Sequence, residues 1–152
     1  MASTQLNDSI SRLHAQYQPQ AGSALPREQF ITLLTFFPVL LVVNADEHLQ
    51  DEEVIFVTFI AKAMADTFDQ ELPDREARAL LQQQFTTDLN YLLQHDHQWQ
   101  APFMETLARY LAEMPQIKET VLEALYLFAD AAEETSAAEA RVIGQIRAQL
   151  GI

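Results

Sequence analysis

Apolar residues recur every three or four positions over most of this chain, and this spacing restricts its fold more than any other feature. Such spacing places side chains on one face of an α-helix, whereas strands show strict alternation, and strand signals are weak throughout. The clearest stripe lies between Asp74 and Gln94. Its members are Ala77, Leu81, Phe85, Leu89 and Leu92. We therefore predict an all-α fold.

Prolines and capping residues predict where the helices begin. Four prolines each precede a stretch with helical spacing, and proline suits the first turn of a helix. They are Pro26, Pro73, Pro102 and Pro115. The predicted helices cover Leu6–Tyr17, Pro26–Ala45 with a kink near Pro38, a segment capped by Asp51, Asp74–Gln94, Pro102–Met114, a segment through Ile117, Val121, Leu125 and Phe128, and one started by the capping-box pair Ser136 and Glu139. Seven helices with short connections form an irregular or orthogonal bundle, and no heptad persists as in a coiled coil.

The size of the chain predicts one domain with one core. It has 152 residues, of which 49% are hydrophobic. We expect an N-terminal helix and loop over residues 1–25 and a helical bundle over 26–152. The longest apolar run, Phe30–Val43, is shorter than the roughly 20 residues that span a bilayer, so we predict no transmembrane segment. We interpret it and the apolar helix that follows as a buried hairpin, whose apolar surface also permits a homodimer.

The charge balance restricts the partners. Nine Lys and Arg against 22 Asp and Glu give a formal net charge of −13. This charge repels phosphate backbones, so it argues against nucleic-acid binding and favours a protein partner with a basic surface. The chain has no cysteine, which excludes disulfides and thiolate sites. The polar N-terminus has no signal-peptide core, so we expect a cytoplasmic protein.

One acidic pattern occurs twice, in Val43–Ile55 and in Leu127–Glu139. In each copy Ala-Asp ends an apolar helix, a turn follows, and glutamate lies in the first turn of the next helix. We name these segments the first and second acidic junctions. If the two hairpins pack side by side, their carboxylates converge at one end of the bundle. Carboxylate oxygens are the ligands that Ca²⁺ and Mg²⁺ prefer.

This repeated pattern in an all-helical domain resembles the TerB-like domains of tellurite-resistance and stress systems. The resemblance extends loosely over Phe30–Ile152, and its specific residues lie in the two acidic junctions. It implies a non-enzymatic stress-response adaptor whose acidic surface holds a weak Ca²⁺ or Mg²⁺ site. Glu47 and Ala131 stand where members of the family have glycine. The residues implied as the metal or docking surface are Asp46, Glu52, Glu53, Asp130, Glu134 and Glu139.

A purely structural role accounts for the same acids. Asp51 and Ser136 are expected helix caps. Glutamates in the first turn of a helix are stabilised by the helix dipole, by about 0.3–1 kcal/mol each. Neither junction has the register of an EF-hand loop. An acidic module that binds a basic protein without any metal is therefore an alternative.

The tripeptide His95-Asp96-His97 raises a different class of function. Helical phosphohydrolases hold metals with a His-Asp dipeptide and a distant His and Asp, for which His48 and Asp130 are candidates. Residues two apart on a helix point in different directions, so both imidazoles face one metal only if a helix ends between them. The structural alternative is a polar loop between helices. No other catalytic motif is present, so we predict no enzymatic activity, with a metal-dependent enzyme as the alternative hypothesis.

Overall fold

The computed structural model describes residues 2–45, 53–131 and 137–152, and within these ranges the chain forms seven α-helices and no strand. The all-α bundle predicted from the spacing is therefore confirmed. The helices are α1 (Ala2–Ala21), α2 (Arg27–Ala45), α3 (Glu53–Asp66), α4 (Arg75–Gln94), α5 (Asp96–Glu113), α6 (Ile117–Ala131) and α7 (Ala137–Leu150).

Helix α2 forms the centre of the bundle. It packs against α1, α3, α4, α5, α6 and α7, because its apolar residues extend nearly all round it. Its fully buried side chains include Phe30, Leu33, Leu34, Phe37 and Leu40. Pro38 lies within the helix, which continues on both sides of it. Residues 27–44 are long and apolar enough to cross a membrane by length and composition, and 61% of that stretch is buried inside the fold.

Helix α3 packs most extensively against α4 and only slightly against α2. Its inner side is formed by Phe56, Val57, Ile60, Ala61 and Met64, all buried. Ile55 and Phe59 are exposed on its outer side. The predicted buried hairpin is therefore wrong for α3, which has more apolar residues than one packed face can cover.

Helix α4 has the boundaries that its sequence predicts. At its N-cap, Asp74 has extended backbone, and its side chain accepts a hydrogen bond of 3.3 Å from the backbone N–H of Glu76. This contact satisfies one of the backbone donors that a helix leaves free at its start. The buried face is formed by Leu81, Phe85, Asp88, Leu89 and Leu92.

Helices α1 and α5 differ from the prediction because both continue through a proline, and α1 also begins earlier than predicted, at Ala2 and not at Leu6. Helix α1 extends to Ala21 with Pro19 in its last turn. Helix α5 begins at Asp96, so Pro102 lies inside the helix and the loop before it is reduced to His95. Proline removes one backbone hydrogen bond from a helix interior. In α5 the burial of one apolar face offsets this cost. That face includes Trp99, Phe103, Leu107 and Leu111.

Candidate functional site

The six acids predicted as a metal or docking surface belong to the segments where α2 joins α3 and α6 joins α7. Outside the described residues lie Asp46, Glu52, Glu134 and the predicted caps Asp51 and Ser136. Within the described helices, the backbone positions are the first residue of α3 for Glu53, the last turn of α6 for Asp130 and the first turn of α7 for Glu139. The two acidic junctions thus coincide with helix ends.

The helices that flank the two junctions are neighbours. Helix α2, which leads into the first junction, packs against both α6 and α7, which flank the second. Within the ranges that the structure describes, no group of three or more His, Asp or Glu side chains could hold a metal ion. The convergence of the six carboxylates on one ion therefore stays a prediction.

The pair His95-Asp96 lies where α4 ends and α5 begins, so the polar loop considered as the structural alternative is reduced to His95. The Nδ1 atom of His95 is 2.9 Å from the carbonyl oxygen of Tyr91, and its ring stacks on Tyr91 at 4.4 Å. The Asp96 carboxylate accepts from the backbone N–H of His97 at 2.9 Å and from Nδ2 of Asn44 at 3.1 Å. The Nδ2 atom of Asn44 also donates to the carbonyl oxygen of Leu93 at 3.2 Å, so Asn44 connects α2 to both α4 and α5. His48, the proposed distant partner, lies outside the described residues.

A cleft of about 190 Å³ opens beside this contact, between the C-terminal end of α2, the first turns of α5 and one face of α7. Its polar lining consists of Asn44, Asp96, Gln100, Gln145 and Gln149. Its apolar lining consists of Leu41, Val142 and Ile146. Leu41 and Ile146 are buried and the three glutamines are exposed, so the cleft has an apolar floor and a polar rim. We name it the Asp96 cleft.

The outer side of α3 presents exposed apolar side chains, beginning at Ile55, the last residue of the first acidic junction. Ile55 is 68% exposed and Phe59 is 44% exposed. The two lie one turn apart, on the same side of the helix. Lys62, one further turn along, is exposed and pairs with Asp66 at 3.0 Å. We name Ile55, Phe59 and Lys62 the α3 stripe.

A buried polar cluster connects α1, the loop after it and α4. The Asp88 carboxylate accepts hydrogen bonds from the Tyr17 hydroxyl at 3.0 Å and from the Ser23 hydroxyl at 2.6 Å, both at Oδ2. Tyr17 is fully buried, and its ring lies 5.3 Å from Trp99 and 5.6 Å from Phe103. The carboxylate thus fixes the N-terminal helix to the bundle. Sequence reasoning missed this cluster, although Asp88 stands three residues after Phe85 on the apolar stripe of α4.

The loop after α1 is fixed by a second set of contacts. The carbonyl oxygen of Leu25 lies 2.8 Å from His14 Nε2 and accepts a hydrogen bond of 3.0 Å from Gln18. The His14 ring stacks on Phe30 of α2 at 4.8 Å. His14 is therefore half-buried and used in packing.

The cleft, the stripe and the acidic junctions are the features from which a function is inferred. Comparisons with protein-family models, with curated proteins and with solved structures found no match. The chemistry of these residues and their placement on the fold therefore decide which partners the chain can bind.

Burial raises the pKa of the Asp88 carboxyl, and the hydrogen bonds from Ser23 and Tyr17 oppose that shift. Burial and the neighbouring Asp88 also raise the pKa of Tyr17, so its hydroxyl remains a donor. A carboxyl whose pKa is raised by folding takes up a proton more readily in the folded chain. Its contribution to stability is fully present below its ordinary pKa of about 3.9 and is lost as pH rises through the folded-state pKa.

We expect Asp88→Asn to remove the loss of stability that ionisation of Asp88 causes as pH rises. The amide oxygen of asparagine can still accept from Tyr17 and Ser23 but carries no charge. The free energy of unfolding of Asp88→Asn relative to the natural chain should increase as pH rises from about 4 to 7. Urea denaturation at several pH values measures this difference. Asp69→Asn, at an exposed aspartate, is the matched control. A difference that stays constant with pH at Asp88 would contradict the assignment.

Proposed function

We propose that this chain is a non-catalytic adaptor domain that binds a basic amphipathic helix of a protein partner on the outer face of α3. The observation that carries the proposal is the α3 stripe, where Ile55 and Phe59 are 68% and 44% exposed. Partner helices bind such surfaces through apolar anchors at three- or four-residue spacing. The stripe offers this spacing on a helix that is already held in place by α4.

Charge favours a basic partner. The first acidic junction joins α3 at the end of the stripe where Ile55 lies, and residues 46–53 include no Lys or Arg. Its acids are Asp46, Glu47, Asp51, Glu52 and Glu53. Opposite charge speeds association and selects among partners, so lysines and arginines beside the apolar anchors are expected in the partner helix. A second copy of this chain would bring a net charge of −13 to the same surface, which opposes self-association.

The absence of catalysis is part of the proposal. His95 and Asp96, on which the phosphohydrolase alternative depends, are engaged with Tyr91, His97 and Asn44 where α4 meets α5. These contacts support a structural role for the pair. A hydrolase would need the same two side chains to hold a metal and a substrate in addition to these contacts.

We also propose that the acidic junctions make the adaptor responsive to Ca²⁺ or Mg²⁺, as the resemblance to TerB-like domains implies. An ion that binds only the folded chain raises its stability, by about 2.7 kcal/mol at a hundredfold excess over the dissociation constant. We therefore expect the thermal midpoint of chelator-treated protein to rise saturably with one of these ions. The double variant Asp46→Asn/Asp130→Asn should lose that rise.

Mn²⁺ and Zn²⁺ serve as comparison ions, because a site of carboxylate oxygens should not prefer zinc. If the midpoint rises with none of the ions, the metal-free adaptor remains and the ion-responsive part of the proposal is wrong. If it rises equally in the double variant, the ion binds elsewhere on the chain.

Binding of a model helix tests the adaptor proposal. The probe is a fluorescein-labelled peptide of Leu and Lys, about five turns long, with Leu at helical three- and four-residue spacing. A scrambled peptide of the same composition has the same charge but no apolar face. We expect saturable binding of the amphipathic peptide, weakened by salt, and much weaker binding of the scrambled one. Equal binding of both would show charge attraction alone and would overturn the proposal.

A further inference from the structure

We infer that the Asp96 cleft binds the guanidinium group of one arginine side chain of the partner. The inference rests on the proposed function for the origin of this arginine. The cleft itself can be tested with a small arginine compound. At about 190 Å³ the cleft is smaller than the 300–1,000 Å³ or so typical of pockets for small molecules. Its size therefore suits a single side chain.

The rim of the cleft offers several hydrogen-bond acceptors to a cation. Each oxygen of the Asp96 carboxylate accepts one hydrogen bond from the described protein, from His97 or from Asn44. A carboxylate oxygen has two lone pairs, so both oxygens can accept again. Asn44 donates through Nδ2 to the carbonyl oxygen of Leu93 and to the carboxylate of Asp96. These two hydrogen bonds fix the orientation of its amide group, and therefore of its amide oxygen. Gln145 and Gln149 add further amide oxygens on α7.

The floor of the cleft suits the stem of a long side chain. Leu41 and Ile146 are buried beneath it, and Val142 is half-buried at its side. Arginine packs its methylene groups along apolar surface while its charged end reaches polar groups. A cleft with an apolar floor, a carboxylate and an amide rim matches both parts of that side chain.

Arginine fits the cleft better than lysine or a neutral group does. The guanidinium group has five N–H donors in a planar fork, whereas the lysine ammonium has three donors around one point. Several acceptors spread around a rim are better satisfied by the fork. No Lys, Arg or His is among the residues that line the cleft in the described structure, although His97 Nε2 lies 3.9 Å from Asp96 Oδ1, and Asp96 gives the cleft negative charge. A neutral side chain can donate to the carboxylate but brings no opposite charge to it.

The position of the cleft connects it to the proposed docking surface. Asn44 at the cleft and Ile55 on the α3 stripe both belong to the first acidic junction, Asn44 near its start and Ile55 at its end. Because α2 and α3 also pack against each other, a partner helix on the α3 stripe that continues towards the C-terminal end of α2 would bring one arginine to the cleft. The cleft then adds one specific contact to a docking surface whose other negative charges are the several acids of residues 46–53.

The test is a titration of the full ¹⁵N-labelled chain followed by NMR. The ligand is Nα-acetyl-L-arginine N-methylamide, compared with the citrulline compound, its neutral isostere, and with the lysine compound. We expect the arginine compound to shift amide signals of residues around Asn44, Asp96 and Gln145 with roughly millimolar affinity. The lysine compound should bind more weakly and the citrulline compound about tenfold more weakly.

Two variants locate the site. Asp96→Asn removes the charge, and Gln145→Lys brings a cation to the rim from an exposed position on α7. Each is expected to weaken binding of the arginine compound by about tenfold. Gln83→Lys, at an exposed glutamine of α4, makes the same change of net charge away from the cleft and should leave binding unchanged. Because Gln145→Lys does not touch the contact of Asn44 with Asp96, it keeps the test decisive if Asp96→Asn disturbs folding.

Equal shifts with arginine and citrulline compounds, or binding unchanged in Gln145→Lys, would overturn the cleft assignment. Such a result with intact binding of the amphipathic peptide would leave the adaptor proposal standing. Arginine binding at the cleft without peptide binding to α3 would support the cleft and overturn the docking surface. The two inferences therefore fail separately.

Discussion

Substituting Tyr17 with alanine is expected to lower the free energy of unfolding by about 4 kcal/mol, the loss typical of a large aromatic side chain in a core. Tyr17 is fully buried among the rings of Phe30, Tyr91, Trp99 and Phe103. Its removal also takes one of two described hydroxyl donors from the buried Asp88 carboxylate, which adds the cost of a less satisfied buried acceptor. The midpoint of thermal unfolding should fall by roughly 8–16 °C in a chain of this size.

The matched variant is Tyr17→Phe, which keeps the ring and removes only the hydroxyl donor. Its loss should be about 1–2 kcal/mol, the value of one buried hydrogen bond to an acid. Urea denaturation of both variants separates packing from hydrogen bonding. If Tyr17→Ala lost no more than Tyr17→Phe, α1 would not be part of the cooperative core and the role given to the aromatic cluster would be wrong.

Local signals in the sequence predicted which segments are helical, but the prolines did not reliably indicate where the helices begin and end. The cap at Asp74 and the apolar spacing after it place α4 correctly, because both depend on residues close in sequence. Pro102 wrongly indicated a helix start, because the apolar face that holds α5 together begins before it at Trp99. Burial of that face against the rest of the bundle is a tertiary effect, and it outweighs one lost backbone hydrogen bond.

The polar contacts between distant segments could not be predicted from spacing. Asn44 and Asp96 are 52 positions apart, and Tyr17 and Asp88 are 71 positions apart. Each pair forms only when the helices are packed, so no short motif indicates it. The acids of the two junctions could be named from sequence because each junction lies between two predicted helices. Whether they act together depends on the distance between the two junctions, which no short motif indicates.

Substituting both Ile55 and Phe59 with glutamine is expected to weaken binding of the amphipathic peptide by roughly thirtyfold, which is about 2 kcal/mol. In the natural chain, binding of the peptide would bury the apolar area of each side chain that faces water in the unbound protein. The loss of stability should be modest, because Ile55 is 68% exposed and Phe59 44% exposed, so that only Phe59 loses much packing, and glutamine suits an exposed helix position. Leu80→Gln is the control, since Leu80 is 58% exposed on α4, outside the stripe.

The same protein samples also show whether the α3 stripe binds a second copy of this chain. Sedimentation velocity of the natural chain and of Ile55→Gln/Phe59→Gln shows whether the stripe joins two copies. We expect monomer in both, in agreement with the repulsion between chains of net charge −13. A dimer that the double variant dissociates would assign the stripe to a second copy and would contradict the choice of a basic partner.

Fluorescence anisotropy of the labelled amphipathic peptide, titrated with the natural chain, Ile55→Gln/Phe59→Gln and Leu80→Gln, tests the central claim most directly. The predicted result is tight, salt-sensitive binding to the natural chain and to Leu80→Gln, with a roughly thirtyfold increase in Kd for the double variant alone. Equal Kd values for all three chains would contradict the assignment of α3 as the docking surface.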